Sequence, residues 1–208
     1  MFITFEGGDG TGKSSHATRV VEWLRGLGHE VVQTREPGGT ELGKQLRNIV
    51  LHGSDDLSDR AEALIFAADR AHHIQSLVRP ALERGAIVVQ DRYLDSSIVY
   101  QGRGRGLGEQ QIRDLSMWAA DGLMPDLTVL LDLKPEIAMQ RMRTGRGRLD
   151  RLESLGLEFH LNVREQFLKL AGEEPERIHV VDADRPERLV SDEIRRLVEA
   201  KLEELQQA

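Results

Sequence analysis

The sequence predicts an α/β fold in which a five-stranded parallel sheet is covered by helices on both faces. Three observations carry this. Short apolar runs rich in β-branched residues recur between longer helical patterns, the alternation expected of parallel strands joined by helices. A glycine-rich segment, Gly7 to Gly12, stands where the first strand should hand over to the first helix. The chain has 208 residues, 39% of them apolar and 30% charged, enough for one substantial core, so a single domain over 1–208 is expected.

Strands are expected at about 2–6, 30–34, 87–91, 127–132 and 177–182. The clearest helices are 13–27, ended near Gly28, and 58–79, opened by Ser58 and Asp59 and weakened by Pro80. Others are expected at about 40–52, 108–121, 135–143, 151–171 and 186–205. No internal repeat or low-complexity linker interrupts the series.

Composition removes several kinds of chemistry. There is no cysteine, which excludes a disulfide frame, a thiolate zinc site and a cysteine nucleophile. The seven histidines show no HExxH spacing and read as surface or packing residues. The chain runs from Met1 into a strand-like segment with no basic leader and no long apolar stretch, so a cytoplasmic protein without a membrane segment is expected. A net charge of -7 argues against general nucleic-acid binding. Lysine occurs only as Lys13, Lys44, Lys134, Lys169 and Lys201, so most positive charge is arginine, whose planar fork suits phosphate oxygens.

Gly7-Gly8-Asp9-Gly10-Thr11-Gly12-Lys13-Ser14 satisfies GxxxxGK[ST] between the strand ITFE and the helical run HATRVVEWL, the setting a phosphate loop requires. It predicts a P-loop NTPase fold. Glycines allow main-chain N–H groups to face phosphate oxygens, and the helix N-terminus adds positive partial charge. Lys13 would reach the β- and γ-phosphates of ATP, and the Ser14 hydroxyl would ligate Mg²⁺. The apolar strand Ala86 to Gln90 ends in Asp91. An acid there can hold Mg²⁺ directly or through water, although a turn or helix-cap aspartate is the plainer alternative. The loop contains no arginine, so Lys13 is its only cation.

A phosphate loop alone does not separate an enzyme from a GTP switch or a motor. Neither a DxxG switch segment with an NKxD guanine reader nor room for a motor's extra domains is present. Other segments decide: REPGGT at 35–40, FAADR at 66–70, DRYLDSSIVYQG at 91–102 and RTGRGRLDR at 143–151. In this combination and order the chain resembles bacterial thymidylate kinases, which make dTDP from dTMP and ATP. The resemblance runs from the first strand to the terminal helix.

Phe66 and Arg70 lie four residues apart and so share a helix face. Taken alone, the pair reads as a core ring with a surface ion-pair partner; beside the other motifs, the resemblance implies that Phe66 stacks on thymine and Arg70 bonds its O4. It also implies that Arg92 clamps the dTMP phosphate, helped by Arg47 and by Glu36 and Pro37 of the REPGGT turn. Ser97 and Gln101 would meet the pyrimidine edge, Tyr100 would lie under the sugar, and Asp9 would bond the 3′-hydroxyl. Adenine is expected between Arg141 or Arg143 and the segment Asp182 to Arg185. The family is homodimeric, and the alanine-rich helix 58–79 is the expected contact.

Two phosphorylated substrates repel each other, and transfer through a loose transition state needs charge neutralisation more than covalent chemistry. Thymidylate kinases place the needed arginine either in the phosphate loop or in a lid. This chain resembles the lid group, since its segment at about 143–151 has glycines that permit motion and several arginines. Arg146 is the main catalytic candidate, then Arg151, with Arg148 behind. A solvated basic loop is the bland alternative. Arg103 and Arg105 of QGRGRG read as a turn. A nucleotide-controlled binding module and another pyrimidine monophosphate kinase remain as competing functions.

Overall fold

The computed structural model describes residues 1–53, 56–145, 151–153 and 155–207. Five strands, β1 (Phe2–Glu6), β2 (Val31–Arg35), β3 (Ile87–Asp91), β4 (Leu127–Asp132) and β5 (Ile178–Asp182), form one parallel sheet in the order β2-β3-β1-β4-β5. The expected strands are therefore present. The chain fills one side of β1 and then the other, which leaves a crevice at the strands' carboxyl ends.

Strand alternation divides the apolar residues between two layers. Ile3, Phe5, Ile87, Val89, Leu127 and Val129 pack with Val20, Val21 and Leu24 of α1 (Lys13–Gly26) and Val190, Ile194 and Val198 of α9 (Glu187–Gln207). Phe2 and Val88 point to the opposite layer with Ala63, Ile74, Ile98 and Ile112. That layer is built from α3 (Asp59–His73), α4 (Arg79–Glu83), α5 (Leu94–Ser97) and α6 (Glu109–Ala119). The remaining helices are α2 (Glu41–His52), α7 (Pro135–Gly145) and α8 (Leu157–Glu173). No helix among the described residues is long and apolar enough to cross a membrane.

Local chemistry explains most helix ends. Gly28, at φ 90°, closes α1: its N–H reaches Arg25 O at 3.0 Å and the His29 N–H reaches Leu24 O at 3.2 Å. Thr40 caps α2 by accepting from Gly43 N at 2.9 Å. Ser58 caps α3 from Ala61 N at 3.4 Å.

The helix expected to weaken at Pro80 instead continues. A π-helical stretch, Ile74–Val78, leads into α4 with Pro80 near its start, and the wider turn before it accommodates a residue that has no N–H to donate. A second π-helical stretch, Ile98–Gly104, follows α5 and had no sequence counterpart. The helix expected from about 151 starts at Leu157, after Gly156, and Arg151 to Glu153 form a turn.

On the sheet face toward α5, a buried polar line runs from β1 through β4 to the turn before β5. Thr4 Oγ1 bonds Thr128 Oγ1 at 2.8 Å, and Arg177 Nη1 donates to Thr128 Oγ1 at 2.8 Å. Arg177 also grips Asp95 through both ends of its fork, at 2.7 and 2.8 Å. Asp95 is 1% exposed, so loss of its charge leaves the guanidinium with Glu174, at 2.7 Å, as its remaining carboxylate partner in a poorly hydrated place. Asp95→Asn is expected to lower unfolding free energy by about 3 kcal/mol, read as a lower urea midpoint at unchanged slope.

Candidate active site

A cavity of about 370 Å³ opens at the carboxyl ends of the central strands. Its walls come from the loop after β1, the turn after β2, α2, α3, the segment after β3, and α7. Parallel sheets place ligands in such crevices.

The loop after β1 forms one half. Gly7 and Gly10 have φ of 132° and 77°, a region that side chains avoid. Space is as restrictive as conformation: a Cβ on Gly7 would lie 2.5 Å from Leu131 O, and one on Gly10 2.6 Å from Ala138 O. Asp9, Gly10, Gly12, Lys13 and Ser14 line the cavity. Gly7, Gly8 and Thr11 lie beneath it, where Thr11 Oγ1 donates to Gly8 O at 3.0 Å.

Lys13 Nζ folds over its own loop and donates to Gly7 O at 3.0 Å and Gly8 O at 2.7 Å. Burial and the neighbouring Arg92 charge pull its pKa down to about 8, against Asp9 and Asp91. Ser14 Oγ donates to Asp91 Oδ2, so the hydroxyl and the strand-end acid meet although 77 residues separate them. Two hard oxygen ligands beside a phosphate cradle suit Mg²⁺, which typically keeps water and takes phosphate oxygens for its other positions.

Arg92 joins the two halves. Its Nη1 donates to Gly7 O at 3.1 Å and to Ser96 Oγ at 2.9 Å, and its Nη2 donates to Asp9 Oδ1 at 2.5 Å. Tyr100 donates its hydroxyl to Asp9 Oδ2 at 3.0 Å. Burial pushes Asp9 up, but Arg92 and Lys13 outweigh it and hold the carboxyl at about 2. Arg92 itself has φ 66°, the left-handed region that costs a non-glycine residue about 1 kcal/mol or more.

Glu6 over-determines that turn. Its Oε1 accepts from Tyr93 N at 2.7 Å and Ser96 N at 3.2 Å, and its Oε2 from Ser96 Oγ at 2.5 Å. Burial, then repulsion from Asp95, raises Glu6 to about 7 despite Arg92. Sequence reasoning did not select Glu6. An acid closing a buried strand just before the glycine loop is the signal that marks it.

The second half is lined by Glu36, Pro37, Arg47, Phe66 and Arg70. Arg70 is 1% exposed, and its fork is fixed by Glu36 Oε2 at 3.0 Å, Ser116 Oγ at 3.1 Å and Ser97 Oγ at 3.1 Å. Glu36 follows β2 through a turn with a cis Glu36-Pro37 bond. Its other oxygen meets His73 Nδ1 at 3.0 Å, while His73 Nε2 bonds Thr34 Oγ1 at 2.7 Å. His73 is thus a packing histidine behind the site. Asp69, buried nearby, is raised to about 6 by burial and by Glu36. Arg47 Nη1 donates to Pro37 O at 3.0 Å.

Ser97, Tyr100 and Gln101 line the same cavity from the segment after β3, and Arg141 from α7. Arg141 Nη2 reaches Ala183 O at 3.3 Å, bringing together the two parts named for adenine. Arg151 is placed differently: it bonds buried Glu62 and donates through Nε to Val50 O at 3.1 Å, and it does not line the cavity. Arg103 and Arg105 are ion-pair partners of Glu109 and Glu62. Arg146 and Arg148 lie outside the described residues.

Residues 5–194 match the family model for thymidylate kinase. Among curated relatives, a thymidylate kinase of Clavibacter sepedonicus is 59% identical over 195 residues, covering 94% of this chain and 92% of the relative. One from Leifsonia xyli subsp. xyli is 58% identical with the same coverage of both chains, 94% and 92%. The crystal structure of thymidylate kinase from Ehrlichia chaffeensis superposes with a TM-score of 0.80 at 32% identity, covering 95% of this chain and 98% of that one. The chain belongs to the thymidylate kinase family, which phosphorylates dTMP to dTDP with ATP as the phosphoryl donor.

Proposed function

We propose that the two halves of this cavity seat the two nucleotides head to head, with ATP phosphates on the glycine loop and dTMP between Phe66, Arg70 and Arg92. The observation that carries this is the single guanidinium of Arg92, bonded at once to Gly7 and Asp9 of the loop and to Ser96 after β3. In this reading Lys13 leaves the Gly7 and Gly8 carbonyls for the β- and γ-phosphates. Phe66 stacks on thymine, Arg70, Ser97 and Gln101 face its polar edge, and Tyr100 lies under the sugar. Glu36, Pro37 and Arg47 shape the phosphate end, and Arg141 flanks adenine.

Transfer is direct: an oxygen of the dTMP phosphate bonds the γ-phosphorus as the bond to the β,γ-bridging oxygen breaks, leaving ADP. Asp9 aligns Arg92 and Tyr100 for this step, and Arg92 holds the attacking phosphate against the repulsion of its partner. Arg146, in a lid within about 143–151 of a single kinase domain, supplies the transition-state contact. Arg151 is assigned to the same lid, where its bond to Glu62 anchors the lid's end. Arg92→Gly, which tolerates the left-handed turn, is expected to raise the KM for dTMP and lower kcat. Arg146→Ala is expected to lower kcat on the order of 10³-fold with little change in dTMP binding. Steady-state kinetics with binding calorimetry separates the two, and unchanged kcat in Arg146→Ala would move the contact to another arginine.

Mg²⁺ is the proposed cofactor, held by Ser14 and Asp91. Two protein oxygens would leave the remaining positions to phosphate oxygens and water. The ion supplies charge neutralisation and orientation of the ATP phosphates. Ser14→Ala and Asp91→Asn are expected to raise the Mg²⁺ concentration for half-maximal activity by about tenfold or more, measured by metal titration at saturating nucleotide.

We also propose a cytoplasmic homodimer. Leu64 on α3 and Trp118 on α6 are 58% and 80% exposed on two helices that pack together, an apolar face suited to a second copy. Multi-angle light scattering is expected to give twice the chain mass, and Trp118→Lys to shift it toward the monomer.

A further inference from the structure

Glu62 is fully buried, at 0% exposure, on α3 one turn before Phe66 and two before Arg70. Its Oε1 accepts from Gln101 Nε2 at 2.9 Å. Its Oε2 accepts from Arg105 Nη2 at 3.3 Å and from Arg151 Nη2. We infer that Glu62 is a positioning residue that fixes which end of the Gln101 amide faces the base, and thereby favours a pyrimidine with N3–H beside a 4-carbonyl over one with a bare N3 beside a 4-amino group. The inference rests on the dTMP seating proposed above.

The two ends of a carboxamide have nearly the same shape and opposite hydrogen-bonding character. A carboxylate only accepts, so whatever the base, the NH₂ end of Gln101 must turn to Glu62. Gln101 lines the cavity, and its Oε1 accepts no hydrogen bond from a described residue. It therefore presents an acceptor.

Arg70, on the same helix, presents donors only. Of the five N–H groups an arginine carries, three are committed to Glu36, Ser116 and Ser97, and two remain. A donor beside an acceptor complements the carbonyl and N–H of thymine. The edge of a 4-amino pyrimidine would set its NH₂ against Arg70 and its N3 lone pair against Oε1, like against like on both bonds. Burial works against ionised Glu62, but the bonds from Gln101 and Arg151 and the charge of Arg105 outweigh it, so its pKa lies below the ordinary carboxylate value. Glu62 consequently does not become a donor at neutral pH.

The test compares dTMP with 5-methyl-2′-deoxycytidine monophosphate, which differ only at that edge. Wild type, Glu62→Gln, Gln101→Leu and the double variant of the full chain are assayed for kcat/KM with both acceptors. Glutamine at 62 can offer its own NH₂ and lets the Gln101 amide reverse. The preference for dTMP is then expected to fall by about tenfold or more, chiefly through a higher KM for dTMP. Adding Glu62→Gln to Gln101→Leu is expected to change the preference no further.

Equal loss with both acceptors, the mark of a merely structural role, overturns the inference, as does additivity in the double variant. If Gln101→Leu leaves dTMP kinetics untouched, the proposed seating itself fails. A measurement on the wild type does not depend on Glu62→Gln folding: the side-chain NH₂ signal of Gln101, assigned by its loss in Gln101→Leu, is expected to exchange slowly with solvent. Fast exchange overturns the bond to Glu62.

Discussion

Arg92 in its left-handed turn is the constraint on which the site depends. An arginine adopts φ 66° only where the surroundings over-determine it. Here Glu6 takes three hydrogen bonds from Tyr93 and Ser96, while Arg92 N donates to Phe5 O at 2.9 Å. The strands β1 and β3 are neighbours, so the glycine loop after one and the turn after the other emerge side by side. The turn then aims the guanidinium back at the loop. Sheet order sets proximity, and backbone strain sets direction.

The buried carboxylates are better understood as holders of arginine forks than as sources of stability. A buried ion pair contributes little net energy compared with apolar packing, yet removing one partner costs about 3–5 kcal/mol. Glu36 holds Arg70, Asp9 and Ser96 hold Arg92, and Asp95 holds Arg177. Two of those arginines face the cavity. Their rotamers are fixed before any ligand arrives, which removes part of the ordering entropy from binding.

The architecture was legible where signals are local. Strands declared themselves by β-branched apolar runs, the glycine loop by its motif, and Asp91 by its place at a strand end, whereas helical spacing alone read Arg70 as a surface ion-pair partner and only the neighbouring motifs drew it and Phe66 into the site; Arg70 is in fact buried. What escaped is tertiary. Glu6 meets Ser96 across 90 residues and Glu62 meets Gln101 across 39, and no periodicity reports such pairs. The two π-helical stretches escaped because their extra residue per turn blurs a 3.6 pattern, and one of them carried the chain past Pro80. Arg151 read as a lid arginine second to Arg146, and the sequence offered no sign that a buried glutamate on α3 would accept its guanidinium.

The ammonium of Lys13, lodged against the Gly7 and Gly8 carbonyls, bears on which anions the loop admits. Its attraction for an incoming ligand is a difference between two solvated states, since those contacts must be surrendered first. A single weak anion offers too little in exchange. In the proposed seating, a dense array of oxygens such as a polyphosphate would give the ammonium a better set of acceptors than the peptide groups it leaves, so the loop would favour ligands of high charge density.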